Sequence, residues 1–221
     1  MNRAYKSLKG FLEIGLSLLF LISSVQGGDR LENMDLTALS GEAAQVQKRL
    51  AKNPSDYEAL QSMGIITHYM AIKDSKTYAK KAVQFLEQSL KSKPDNYTVL
   101  CCLGSAYTLL AKDAGNPMDK SRFSNKGFEY MDVAVRKDPD NIMVRMIRAN
   151  NSKGLPKFLN RRATAYEDFE YLVGLFDKGL KVPSQLKASV YRSLAAMNQE
   201  DGHAALAKKY QTLVETLEKE K

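Results

Sequence analysis

Apolar residues recur every three to four positions through most of the chain, the spacing of one face of an α-helix. No run alternates apolar with polar residues as a half-buried strand does. Three tetrapeptides interrupt the pattern: Asn53-Pro54-Ser55-Asp56, Lys93-Pro94-Asp95-Asn96 and Asp138-Pro139-Asp140-Asn141. Each closes one amphipathic run and opens another, and their prolines stand 40 and 45 residues apart. Punctuation at that period marks stacked helical hairpins. The pattern predicts an all-α chain of about ten helices, with a helix near Leu36 to Leu50 capping the front. The polar finish Glu215, Glu218, Lys219, Glu220 and Lys221 suits a capping helix at the other end.

Within this frame small residues recur at fixed places. Leu100, Leu103, Gly104 and Tyr107 are followed by Gly127, Met131 and Ala134 and then by Pro139. Together they resemble one tetratricopeptide repeat, with Leu100 in place of the usual tryptophan and Lys112 to Lys120 as a loop inserted between its helices. The preceding unit offers Leu60, Met63 and Gly64, with Thr67 where a tyrosine is usual, then Ala82, Leu86 and Ser89. Ala149, Ala165, Phe169 and Leu172 continue the pattern. A last hairpin begins near Pro183 with Tyr191, Leu194 and Ala195, turns at Gly202 and ends on Ala207 and Tyr210. The resemblance spans residues 54 to 214. It implies a right-handed helical-hairpin solenoid of about four units with capping helices. Residues 28–53 are then a linker and N-terminal helix, and 54–221 the repeat domain.

Repeat proteins of this kind hold a peptide in a concave groove lined by first helices. The resemblance carries that lining onto Glu58, Gln61, Ile65 and His68, then Thr98, Cys101, Ser105 and Thr108, then Met143, Met146 and Asn150.

Composition adds a destination. Arg3, Lys6 and Lys9 precede an apolar run from Ile14 to Val25, and Val25-Gln26-Gly27 supplies small residues for cleavage. The run is shorter than the ~20 residues that span a bilayer, and Glu13 interrupts its N-terminal side. Residues 1–27 therefore read as a cleaved secretory signal of bacterial style, with an uncleaved anchor through residues 10–26 as the alternative. That predicts an exported, periplasmic or secreted protein. The two cysteines, Cys101 and Cys102, are adjacent on a helix, where successive side chains diverge too far for an unstrained mutual disulfide. They are expected to be small buried apolar residues.

Charge is concentrated. Between Arg136 and Arg162 eight basic residues face only Asp138 and Asp140, an excess equal to the whole net charge left once residues 1–27 are set aside. The candidate basic patch is Arg145, Arg148, Lys153, Lys157, Arg161 and Arg162, with Phe158 and Leu159 as shallow anchors. It would meet an acidic protein or an anionic membrane surface. In the alternative the arginines pair with Glu167, Asp168 and Glu170, and Phe158 and Leu159 tuck inward. Arginines just before a helix start oppose its dipole, so some compensation is expected there.

Chemistry of other kinds is not indicated. His68 and His203 are far apart, with no metal motif, nucleophile elbow or phosphate-cradling glycine loop. Glu167, Asp168 and Glu170 read as a solvated face. No catalytic residue, metal or cofactor is expected, and no stacking platform for nucleic acid is visible. The sequence therefore reads as a non-catalytic scaffold or adaptor holding a segment of an envelope or secreted partner in its groove. The alternative is a structural subunit of an envelope assembly, or a membrane-surface protein, acting through the loop 153–162.

Overall fold

The computed structural model describes residues 30–219, leaving aside the Lys157 side chain. Residues 1–27, where the sequence predicts a signal, lie outside that range. The described residues form nine α-helices of at least twelve residues and no strand. They divide into two compact units at the Asp138–Pro139 junction.

The first unit holds α1 (Leu36–Lys52), α2 (Tyr57–Lys73), α3 (Ser75–Ser92), α4 (Tyr97–Asp113) and α5 (Pro117–Lys137). Helices α2 and α3 form one hairpin and α4 and α5 the next. α1 packs on α2, and α4 touches both α2 and α3. The second unit holds α6 (Ile142–Lys153), a short 3-10 turn (Lys157–Leu159), α7 (Arg162–Asp177), α8 (Ser184–Glu200) and α9 (Ala204–Lys219). Here α6 pairs with α7, α8 with α9, and α7 with α8. Each unit holds two hairpins, with a front helix before those of the first, and the all-helical, consecutively paired elements agree with the expected helical-hairpin fold. Lys112 to Lys120 departs from expectation. Pro117, at a position where its missing N–H costs nothing, starts α5 early, so most of the expected insertion is helical.

Local chemistry sets the punctuation. The backbone N–H of Asn53, Lys93 and Asp138 each donates to a carbonyl in the last turn of the preceding helix. The next residue is proline, which cannot continue the helix. Two residues after each proline an N-cap side chain takes over: Asp56 accepts from Ala59 N (3.0 Å), Asn96 from Val99 N (3.1 Å) and Asn141 from Val144 N (3.2 Å). Each cap stabilises its helix by about 1 kcal/mol.

The core of the first unit runs along the hairpin crossings. Leu39, Val46, Ile66, Leu86, Val99 and Met131 are fully buried, each contributing about 2 kcal/mol relative to exposure. Close approach depends on missing side chains. A Cβ on Gly64 would lie 2.7 Å from Leu86 Cδ2, and one on Gly104 would lie 2.6 Å from the Gly127 carbonyl oxygen. In the second unit Phe169, Leu172, Val190 and Leu194 are fully buried, and Gly202, at φ +81, makes the turn into α9.

Candidate functional site

The expected groove lining is largely interior. Gln61, Ile65 and His68 on α2, Cys101 and Ser105 on α4, and Met146 on α6 are all buried. Thr98, Thr108 and Asn150 are half-buried, as is Met143, and Glu58 is exposed. The physical reason in the first unit is direct packing of α2 on α4. His68 Nε2 and Ser105 Oγ meet at 2.8 Å inside that contact, and Thr108 Oγ1 turns back to donate to the Ser105 carbonyl at 2.7 Å. His68 and Ser105 therefore join the two hairpins of the first unit. Cys101 and Cys102 are buried, as expected, and burial pushes the Cys102 thiol up to about 12.

His68 has a measurable consequence. Its ring is fully buried and Nδ1 has no hydrogen-bond partner, so desolvation lowers its pKa from 6.5 to about 4. Well above pH 6.5 the ring is neutral whether the chain is folded or not. As pH falls below 6.5 the unfolded chain takes up a proton that the fold refuses, and stability drops until about pH 4. Between pH 6.5 and 5 the expected loss is about 1.5 kcal/mol. Urea unfolding across that window should show the loss, and His68→Gln should remove most of it. An unchanged slope in that variant would exclude His68 as its source.

Three of the six residues of the expected basic patch, Arg145, Arg148 and Arg162, are paired with carboxylates within the second unit. Arg145 Nη1 donates to Asp168 Oδ1 at 2.8 Å, and Arg148 donates from Nε and Nη2 to the two Asp168 oxygens at 2.7 and 2.8 Å. All three side chains are buried, Asp168 completely. Burial raises the Asp168 pKa, and the two guanidiniums oppose that rise. Arg145 also donates to the Pro139 carbonyl at 2.5 Å and stacks 3.5 Å over the Tyr171 ring, whose hydroxyl donates to Asp140. Asp168 is thus no part of a solvated acidic face. Arg162, at the start of α7, donates to Asp201 (2.6 Å), Glu200 (3.0 Å) and the Met197 carbonyl (2.9 Å), which supplies the compensation a cation there needs. Lys153 Nζ donates to Ser193 Oγ at 3.0 Å. Arg161 is half-buried, Leu159 half-buried and Phe158 exposed; Lys157 lies outside the described side chains.

An open cleft lies elsewhere, in the first unit, where α1 and α3 flank α2. It has a volume of about 470 Å³, within the range typical of ligand sites. Met63, Thr67 and Met70 of α2 line it. Ala43, Ala44 and Gln47 form the α1 wall, and Tyr78, Lys81, Gln84 and Phe85 the α3 wall. The cleft is therefore apolar inside, with two amides and one ammonium at its edge. Methionine side chains adapt their shape to varied apolar partners. The cleft was not among the residues singled out from sequence, because α1 reads as a mere cap. The available signal was Tyr78 and Phe85, seven residues apart and so on one face of α3. Among the described residues no cluster of His, Cys, Asp and Glu gathers to hold a metal, and no helix is long and apolar enough to cross a membrane.

Residues 39–158 match the model of a family described as plant-specific mitochondrial import receptor subunit TOM20. A search of curated proteins returned no match. The family match corrects the expected identity and destination. A mitochondrial import receptor family replaces the exported bacterial tetratricopeptide-repeat protein, its signal peptide and its periplasmic or secreted setting. The envelope partner lapses with them. Protein binding without catalysis stands, since the family is one of receptors and the chain is not an enzyme. The matched stretch runs from α1 through α6 to the turn before α7 and covers more than half of the chain, which therefore belongs to the plant-specific mitochondrial import receptor subunit TOM20 family.

Proposed function

We propose that the chain acts in mitochondrial protein import as a receptor domain that holds a short amphipathic segment of another protein in the α1–α2–α3 cleft. The observation that carries this reading is an open apolar cleft inside the stretch matched by the receptor family. An amphipathic helix buries its apolar face in such a groove through anchors at i, i+3, i+4 and i+7. Met63, Met70 and Phe85 would receive those anchors, while Gln47 and Gln84 offer hydrogen bonds at the edge. Specificity then comes from side-chain fit and not from covalent chemistry.

An import reaction with isolated mitochondria tests this. The full chain, added in excess, is expected to slow uptake of a radiolabelled precursor by competing for the segment. Ala44 is exposed on the α1 wall, so Ala44→Arg should fold normally and block the cleft. The variant is expected to lose at least most of the competition. Equal competition by both proteins would remove the cleft from the reading.

A further inference from the structure

We propose that Glu87, Tyr107 and Tyr130 form a cage for an arginine of the bound segment, a cage that the chain's own Lys126 occupies until that arginine displaces it. This deepens the receptor reading above and rests on it for the segment that supplies the guest. The three residues come from α3, α4 and α5, all within the first unit. The Tyr107 hydroxyl donates to Glu87 Oε1 at 2.6 Å and accepts from Lys126 Nζ at 2.8 Å. The ammonium stands 4.3 Å from the Tyr107 ring centroid, 5.5 Å from that of Tyr130 and 3.8 Å from Glu87 Oε1. Both rings are thus within the ~6 Å at which an aromatic face attracts a cation. They meet each other edge to face at 5.9 Å.

Lys126 is an exchangeable occupant. Its side chain is 40% exposed and that of Glu87 42%, so the ammonium can swing into water without opening the hairpin. Tyr107 is buried and stays in place. A carboxylate and two ring faces then meet the incoming group. A guanidinium suits that set better than an ammonium does, because its plane stacks on an aromatic ring while its fork donates to a carboxylate. The position fits the cleft as well. Glu87 lies one turn beyond Gln84 of the cleft wall, and residues at that spacing are neighbours on a helix surface. Segments that target mitochondria are amphipathic and Arg-rich, whereas the cleft has no carboxylate among its lining residues. The cage supplies the complement to arginine that the cleft lacks.

Binding of two short helical peptides to the full chain, read by fluorescence anisotropy, tests this. They share one leucine stripe and carry on the polar face either arginine or citrulline, which has a similar shape without the charge. Lys126→Gln removes the internal competitor. It is expected to tighten the arginine peptide about three-fold, as one exposed cation–π contact allows, and to leave the citrulline peptide unchanged. Adding Tyr130→Leu keeps the charge of that variant and should cancel the gain; adding Glu87→Gln, at a more exposed position, should cancel part of it. Ala44→Arg should weaken both peptides. An arginine peptide that Lys126→Gln leaves unchanged or weakens, or a gain that survives both Tyr130→Leu and Glu87→Gln, would overturn the cage, and the cleft would stand if Ala44→Arg still weakened both peptides. A gain lost with Tyr130→Leu but indifferent to Ala44→Arg would keep the cage and overturn the cleft. Binding of neither peptide would overturn both.

Discussion

Replacing Asp168 by asparagine is expected to lower stability by about 3–5 kcal/mol, read as a fall in the urea midpoint. The carboxylate is completely buried between Arg145 and Arg148 and accepts three hydrogen bonds of 2.7–2.8 Å from them. Asparagine keeps the volume but removes the charge and one acceptor. Two buried guanidiniums are then left with only the largely exposed Glu167 as counter-ion, and it is this poorly compensated charge, more than the lost hydrogen bond, that sets the size of the effect. Glu167 is the control. It also reaches Arg148, at 3.0 Å, but its side chain is 61% exposed, so Glu167→Gln should cost less than about 1 kcal/mol. Similar midpoints for the two variants would mean that water reaches the cluster and the burial account is wrong.

The second large effect is expected at the crossing of α4 and α5. A Cβ on Gly127 would lie 2.6 Å from the Gly104 carbonyl oxygen and 2.8 Å from Thr108 Cγ2. The carbonyl belongs to the backbone of a packed helix and cannot turn aside, so the helices must separate. Gly127→Ala should cost about 1–3 kcal/mol net of any propensity gain, although helix propensity alone favours alanine by about 1 kcal/mol. Gly41, inside α1, has nothing within 4 Å of its would-be Cβ. Gly41→Ala should therefore stabilise, by about 0.5–1 kcal/mol. The opposite signs of one chemical change at two helical glycines separate packing from propensity. A stabilised Gly127→Ala variant would show that the crossing is loose.

These cases mark what the residues reveal before folding is known. The hairpin punctuation was legible because it is local: Pro54, Pro94 and Pro139 each sit just past a helix end and two residues before a cap. Gly104 and Gly127 were legible as small residues at repeat positions, and their near-contact follows from hairpin geometry. Pairing of the arginines with Glu167, Asp168 and Glu170 was weighed, but as a solvated rim and not as the buried Arg145–Asp168–Arg148 cluster. The cluster joins residues 20 and 23 positions apart on different helices, and nothing local distinguishes a buried arginine from a solvated one. His68 and Ser105 were placed in a groove because a repeat pattern names helix faces without saying which face a neighbouring helix covers. The cleft was missed for the complementary reason. Its walls come from helices separated by the whole of α2, so no local pattern joins them. The destination was misread from the composition of residues 1–27, which resembles an export signal, whereas the family match rests on residues 39–158.

Methionine methyl NMR reports the binding face without perturbing it. The chain has nine methionines. Met63 and Met70 line the cleft, while Met118 and Met131 on α5, Met143 and Met146 on α6 and Met197 on α8 lie outside it. On titration with a short amphipathic helical peptide, the methyl signals of Met63 and Met70 should shift together and saturate, with the others unchanged. Shifts at Met143 and Met146 with Met63 and Met70 silent would contradict the cleft as the site of partner binding.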